Sequence, residues 1–78
     1  MPTVFRKGKY RFFFFSNEGQ ERPHIHVESG NDYAKYWIEP VVLAHSTGYS
    51  RAEVNEIGKI VEKAQDIIKE KWNAHFGY

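Results

Sequence analysis

The chain has no cysteine, which excludes disulfides and thiolate metal sites and fits a reducing cytoplasm. It has no excess of either charge. Eleven Lys and Arg stand against ten Asp and Glu, a formal charge of +1 with neutral histidines, so the broad basic signature of a nucleic-acid binder is missing. Only a local basic corner remains, with Arg6, Lys7, Lys9 and Arg11 and no acid among them. No segment approaches the ~20 apolar residues needed to span a bilayer, and there is no internal repeat or low-complexity stretch. A cytoplasmic protein with no membrane contact is the expectation.

What is present argues for folding. The 78 residues are 41% hydrophobic and 17% aromatic, so large rings fill a core that small aliphatic side chains could not. That length makes one domain, residues 1–78, near the lower limit for folding unaided.

Residues 4–6 and 9–15 are rich in β-formers and flank Lys7-Gly8, which predicts a tight hairpin. Phe12, Phe13, Phe14 and Phe15 do not alternate, so their strand is covered on both faces or offers rings to a partner. Residues 16–23 form a polar loop, and Pro23 favours an extended entry into a strand over 24–28. Gly30-Asn31 makes a turn into a strand over 33–39, both residues being able to take positive φ. Pro40 interrupts that strand, 41–44 is one more short extended piece, and 45–49 is a loop. Ser50 and Glu53 have the spacing of a capping box. Beyond it Val54, Ile57, Val61, Ala64, Ile68 and Trp72 keep a helical three-four spacing up to Gly77. The fold class is therefore α+β: a small antiparallel β-meander of about four strands followed by one long C-terminal helix packed on the sheet. At ~37 Å the helix exceeds the width of a small sheet, so its end is expected to overhang and join a homo-oligomer.

Counting outward from Gly30-Asn31 sets a register that pairs Glu28 with Tyr33, His26 with Lys35 and His24 with Trp37. One face then collects Ile25, Val27, Ala34, Tyr36 and Ile38 as a core. The other collects His24, His26, Glu28, Tyr33, Lys35 and Trp37.

Three chemistries compete for that second face. His24, His26 and Glu28 make an incomplete metal site unless His45 or His75 joins them, and no cofactor is expected. A metal-independent ribonuclease would use His24 and His26 as acid and base, with Lys35 and Arg11 holding phosphate and Trp37 or Tyr33 stacking on a base. The third reading is non-enzymatic, a packed His-Trp pair and a surface that docks another protein. Pro23-His24-Ile25-His26-Val27 also resembles the histidine string of histidine-triad nucleotide hydrolases. Glu28 stands in place of their third histidine, and the chain's length and layout do not match that fold.

Met1-Pro2-Thr3-Val4, the run from Tyr10 to Glu18, Pro23-His24-Ile25-His26-Val27, and Ala34-Lys35-Tyr36-Trp37-Ile38-Glu39-Pro40 together resemble the bacterial and phage-associated family catalogued as domain of unknown function 4160. The likeness covers nearly the whole length. It implies a small protein often encoded beside one of the family called domain of unknown function 2442, an arrangement similar to a toxin and antitoxin pair with this chain on the toxin side. It also implies functional positions at Arg11, His24, His26, Lys35 and Trp37. The implied partner is a cognate antitoxin-like protein, for which the phenylalanine run and the helix would be docking surfaces. The resemblance supplies no target, and RNA is a partner only on the ribonuclease reading of the residues.

Overall fold

A computed structural model describes residues 3–15 and 20–77. The expected polar loop over 16–23 falls partly outside them. Five strands run in chain order across one antiparallel sheet: β1 Thr3–Lys7, β2 Tyr10–Phe13, β3 His24–Ser29, β4 Asp32–Ile38 and β5 Val41–Thr47. Two helices follow, α1 Arg51–Lys63 and α2 Gln65–Phe76. The fold is the α+β meander that the sequence predicts, with one more strand and a break in the helix.

The β3–β4 register agrees with the count from the turn at all six pairs, from Ser29 opposite Asp32 to His24 opposite Trp37. Within that turn positive φ falls on Gly30 and not on Asn31, the glycine-first pattern of a type II′ hairpin turn rather than two left-handed residues. The inner face buries Phe12, Ile25, Val27, Ala34, Tyr36 and Ile38 against Ile57, Val61, Ile68 and Trp72 of the helices. Burial of Tyr36 pushes its phenol up to about 12, and its hydroxyl donates to the Val54 carbonyl at 2.7 Å.

The phenylalanine run is interior. Phe12, Phe13 and Phe14 are each at most 1% exposed, which answers the choice between a covered strand and rings offered to a partner. Phe12 faces the core and stacks on Phe5 at 4.4 Å. Phe13 takes the opposite face beside His26. Phe14, past the strand's end, packs edge-on against Trp72. Phe12, Phe13 and Phe14 are therefore no docking surface, and Phe15 is half-buried.

The strand β5 extends through Thr47, beyond the expected end at residue 44, and takes in His45 of the expected loop over 45–49. Its ladder with β4 shifts by one residue between the pairs Lys35–His45 and Tyr36–Leu43, leaving Ala44 as the extra residue. A bulge of this kind resets the alternation, so hydrophobic periodicity does not carry past it. Between β4 and β5 the Glu39–Pro40 bond is cis.

Helix α1 starts at the predicted capping box: Ser50 Oγ accepts from Glu53 N at 3.1 Å, and Glu53 accepts from Ser50 N at 3.0 Å. The helical path ends at Gly77, which is left-handed with φ 83°, as expected for a terminal glycine. The break comes at Ala64, with φ −98° and ψ 8°, where no proline or glycine marks it. Tertiary ties lie just beyond it. Gln65 donates its side-chain amide to the Ile38 carbonyl and Lys69 pairs with Glu39, tying the start of α2 to the end of β4.

Candidate functional site

The outer sheet face, opposite the core face, carries Arg11, His24, His26, Tyr33, Lys35 and Trp37, whereas His75 lies on α2. Cross-strand pairing places Arg11 opposite Glu28, Glu28 opposite Tyr33, His26 opposite Lys35 and His24 opposite Trp37. Residues paired across a ladder share a face, so Arg11, His24, His26, Tyr33, Lys35 and Trp37 form one surface spanning β2 to β4. The bulged β5 adds His45 opposite Lys35.

Within that surface the environments differ sharply. His24 is fully buried and His26 is 2% exposed, whereas Arg11, Tyr33, Lys35 and Trp37 are all half-buried. An aromatic shell encloses the imidazoles. Phe15 lies 4.5 Å and Phe13 5.4 Å from the His26 ring, Trp72 lies 4.9 Å from the His24 ring, and the two imidazoles stand perpendicular 5.0 Å apart. Trp72 reaches His24 because α2 extends to the end of the sheet where β2 finishes and β3 begins. His24 Nδ1 lies 3.0 Å from the Arg22 carbonyl, an acceptor only, so that nitrogen carries the proton. His26 Nδ1 and the Tyr33 hydroxyl are 2.7 Å apart.

The cations are held from both sides. Arg11 meets Glu28 at 2.6 Å, donates to Thr3 Oγ1 at 2.9 Å, and lies 4.5 Å from the centre of the Phe13 ring. Lys35 meets Glu21 at 2.8 Å and stands 4.7 Å from the centre of the Trp37 ring. Arg22 lies 4.3 Å from that same indole, so Trp37 carries two cations within cation–π range. No sequence motif marks Arg22 as part of this surface. Its signal was parity, since it precedes His24 by two positions and an extended chain puts both on one face.

A central aromatic strip edged by Arg11, Arg22 and Lys35 is chemically suited to a planar anion-bearing ligand. Rings offer stacking area, and guanidinium and ammonium groups reach phosphate or carboxylate oxygens. Proton transfer is a different matter, because a general acid or base has to come within hydrogen-bond reach of the reacting atom. Both histidines lie beneath the rings that cover them. Among the described residues no three histidine, aspartate or glutamate side chains gather where one metal ion could hold them. Among the described residues, no helix is long and apolar enough to cross a membrane.

No curated protein and no solved structure matches the chain. A family model described as Domain of unknown function (DUF4160) matches residues 10–73, from the first residue of β2 to within three residues of the end of α2. That stretch contains every residue of the site named above, apart from Thr3, and the chain belongs to this family.

Proposed function

We infer that this protein is the toxin-like component of a bacterial two-gene module and that it acts by binding single-stranded RNA across the open face of its sheet. The observation that carries the reading is Trp37, a half-buried indole on the outer sheet face with Arg22 and Lys35 both at cation–π distance. Open sheets with exposed rings and flanking cations suit unstacked bases, since the rings take the base faces and the cations take the backbone. Tyr33 gives a second ring, two positions along β4 from Lys35 on the same face, and Arg11 a further cation two strands away. Binding is favoured over cleavage because His24 and His26 lie under Phe13, Phe15 and Trp72. The two-gene setting rests on the resemblance drawn from the sequence, and the cognate neighbour would be the neutralising partner.

The test is fluorescence anisotropy with a labelled oligouridylate, beside growth and RNA integrity in cells expressing the protein. Loss of one stacked base is worth about 1–3 kcal/mol, so Trp37→Ala is expected to weaken binding by roughly 5- to 150-fold while thermal melting shows a folded chain. Growth inhibition should fall with it and cellular RNA should stay intact. Equal affinity for wild type and a folded Trp37→Ala variant would remove the reading, and RNA fragmentation that depends on His26 would replace binding with cleavage.

A further inference from the structure

On the helix side of the sheet, away from the surface described above, the edge strand β1 and the helices leave a groove of about 700 Å³. Its floor and walls are apolar, formed by Phe5 of β1, Ile60 and Ala64 at the end of α1, and Ile67 at the start of α2. Ile67 is 56% exposed, a large aliphatic side chain left in solvent. Three lysines line the same groove, Lys7, Lys59 and Lys63.

The groove follows from the dimensions of the two layers. Five strands about 4.8 Å apart make a sheet ~19 Å across, whereas a helix is about 10 Å thick. Here α1 and α2 follow one another in a single row whose main sheet contacts are with β4 and β5. One row leaves the β1 edge uncovered, where Phe5 sits half-buried, while Tyr10 and Phe12 of β2 are already buried.

The charge around the groove is equally uneven. Lys9, Lys35 and Lys69 each meet a carboxylate, from Glu53, Glu21 and Glu39. Among the described residues Lys7, Lys59 and Lys63 meet none. The groove's one acid, Glu56, accepts the Tyr10 hydroxyl at 2.7 Å. The unpaired ammonium groups thus stand around exposed apolar surface.

We propose that this groove receives an amphipathic helix of a second, different protein, whose apolar stripe covers Phe5, Ile60 and Ile67 and whose flanking Asp and Glu meet Lys7, Lys59 and Lys63. A helix fits because it is the element missing from the second layer, and helix-in-groove binding uses an apolar stripe of this kind. A second copy of this chain fits less well, because a two-fold contact is self-complementary and would set these lysines against their own counterparts. The proposal is independent of RNA binding on the opposite face, so either can fail alone.

The experiment selects binders from a displayed library of helical peptides with randomised stripe and flanks, using the full chain, with counter-selection against Ile67→Asp. That site is exposed, so the variant is expected to melt like wild type. Selected helices should carry acids on both flanks and be displaced by Ile67→Asp. Lys59→Glu with Lys63→Glu should weaken them about tenfold or more. As a control on folding, the charge-reversed chain should still bind oligouridylate with unchanged affinity if the outer face is an RNA surface. Binders that depend on the groove but show no acidic enrichment would overturn the proposal, as would a selection that yields none. Sedimentation showing a dimer that Ile67→Asp dissolves would assign the groove to a second copy instead.

Discussion

Neutralising the carboxylates on the open face should strengthen RNA binding. Glu28 holds Arg11 at 2.6 Å and Glu21 holds Lys35 at 2.8 Å, and the two acids are 42% and 46% exposed. Arg11, Arg22 and Lys35 thus stand against two carboxylates, and replacing both acids with glutamine takes this surface from a net +1 to +3. An incoming phosphate meets two effects of one sign: repulsion disappears, and a cation is released from its partner. For exposed groups the high-dielectric end of Coulomb's law applies, giving about 1 kcal/mol at contact distance, or roughly fivefold tighter binding for each of Glu28→Gln and Glu21→Gln. Each cation newly engaged by phosphate should also steepen the log-log salt dependence by about 0.7. The stability lost is modest, because a surface ion pair contributes about 0–1 kcal/mol, which for a domain of this size lowers the melting temperature by up to about 4–8 °C per pair. Anisotropy of a labelled oligouridylate across a salt titration reads both effects. Unchanged or weaker binding, or an unchanged slope, in a folded double variant would refute a phosphate path along Arg11 and Lys35.

The remaining predictions concern the scaffold. Ser50→Ala removes the cap of α1 and should cost about 1 kcal/mol in chemical denaturation. The Lys9 ammonium, followed by the Ser50 amide, holds the Glu53 carboxyl down at about 2, below its ordinary value near 4.5. Stability from this depressed acid is present above pH ~4.5 and lost as pH falls toward 2, so Glu53→Gln should flatten the acid limb of a melting-temperature profile. Two glycines should respond oppositely: a Cβ on Gly58 meets only the Tyr36 ring at 3.6 Å, whereas one on Gly48, at φ +92°, would fall 2.1 Å from Asp32 Oδ1. Gly58→Ala should therefore stabilise the protein by roughly 0.5–1 kcal/mol, and Gly48→Ala should destabilise it by more than that, as urea midpoints would show. Trp72→Ala should cost about 3–5 kcal/mol. Trp72→Phe should cost much less, because the buried indole N–H has no hydrogen-bond partner among the described residues and removing it recovers a desolvation penalty.

Local rules made much of this fold readable. A two-residue loop leaves one register, so Gly30-Asn31 was sufficient to place His26 beside Lys35 and His24 beside Trp37. The capping box and terminal glycine marked both ends of the helical segment through hydrogen bonds made within a few residues. What was not readable depends on distant contacts. The break at Ala64 adjoins ties from Gln65 and Lys69 to Ile38 and Glu39, more than 25 residues away in sequence. The reach of β5 to Thr47 depends on a bulge at Ala44 and on its ladder with β4, neither of which leaves an apolar alternation to count.

The site shows the same division, and it changes what a histidine variant can prove. Parity put His24 and His26 on the outer face correctly, because alternation is a property of the strand. What covers that face is set by Phe13 and Phe15 from β2 and its continuation and by Trp72 from α2, and parity carries no information about them. The rings that close over His26 at 4.5 and 5.4 Å make its truncation a cavity in an aromatic cluster as well as the loss of an imidazole. By the measure of other buried large-to-small changes, His26→Ala should then cost about 2–4 kcal/mol, a large share of what a domain this size has. Loss of toxicity in that variant would follow from unfolding alone. His26→Gln keeps a hydrogen-bonding group toward Tyr33 but supplies no proton near neutrality, so a folded His26→Gln protein that retains toxicity assigns the imidazole to the core. A folded one that loses toxicity while still binding oligouridylate assigns it to chemistry.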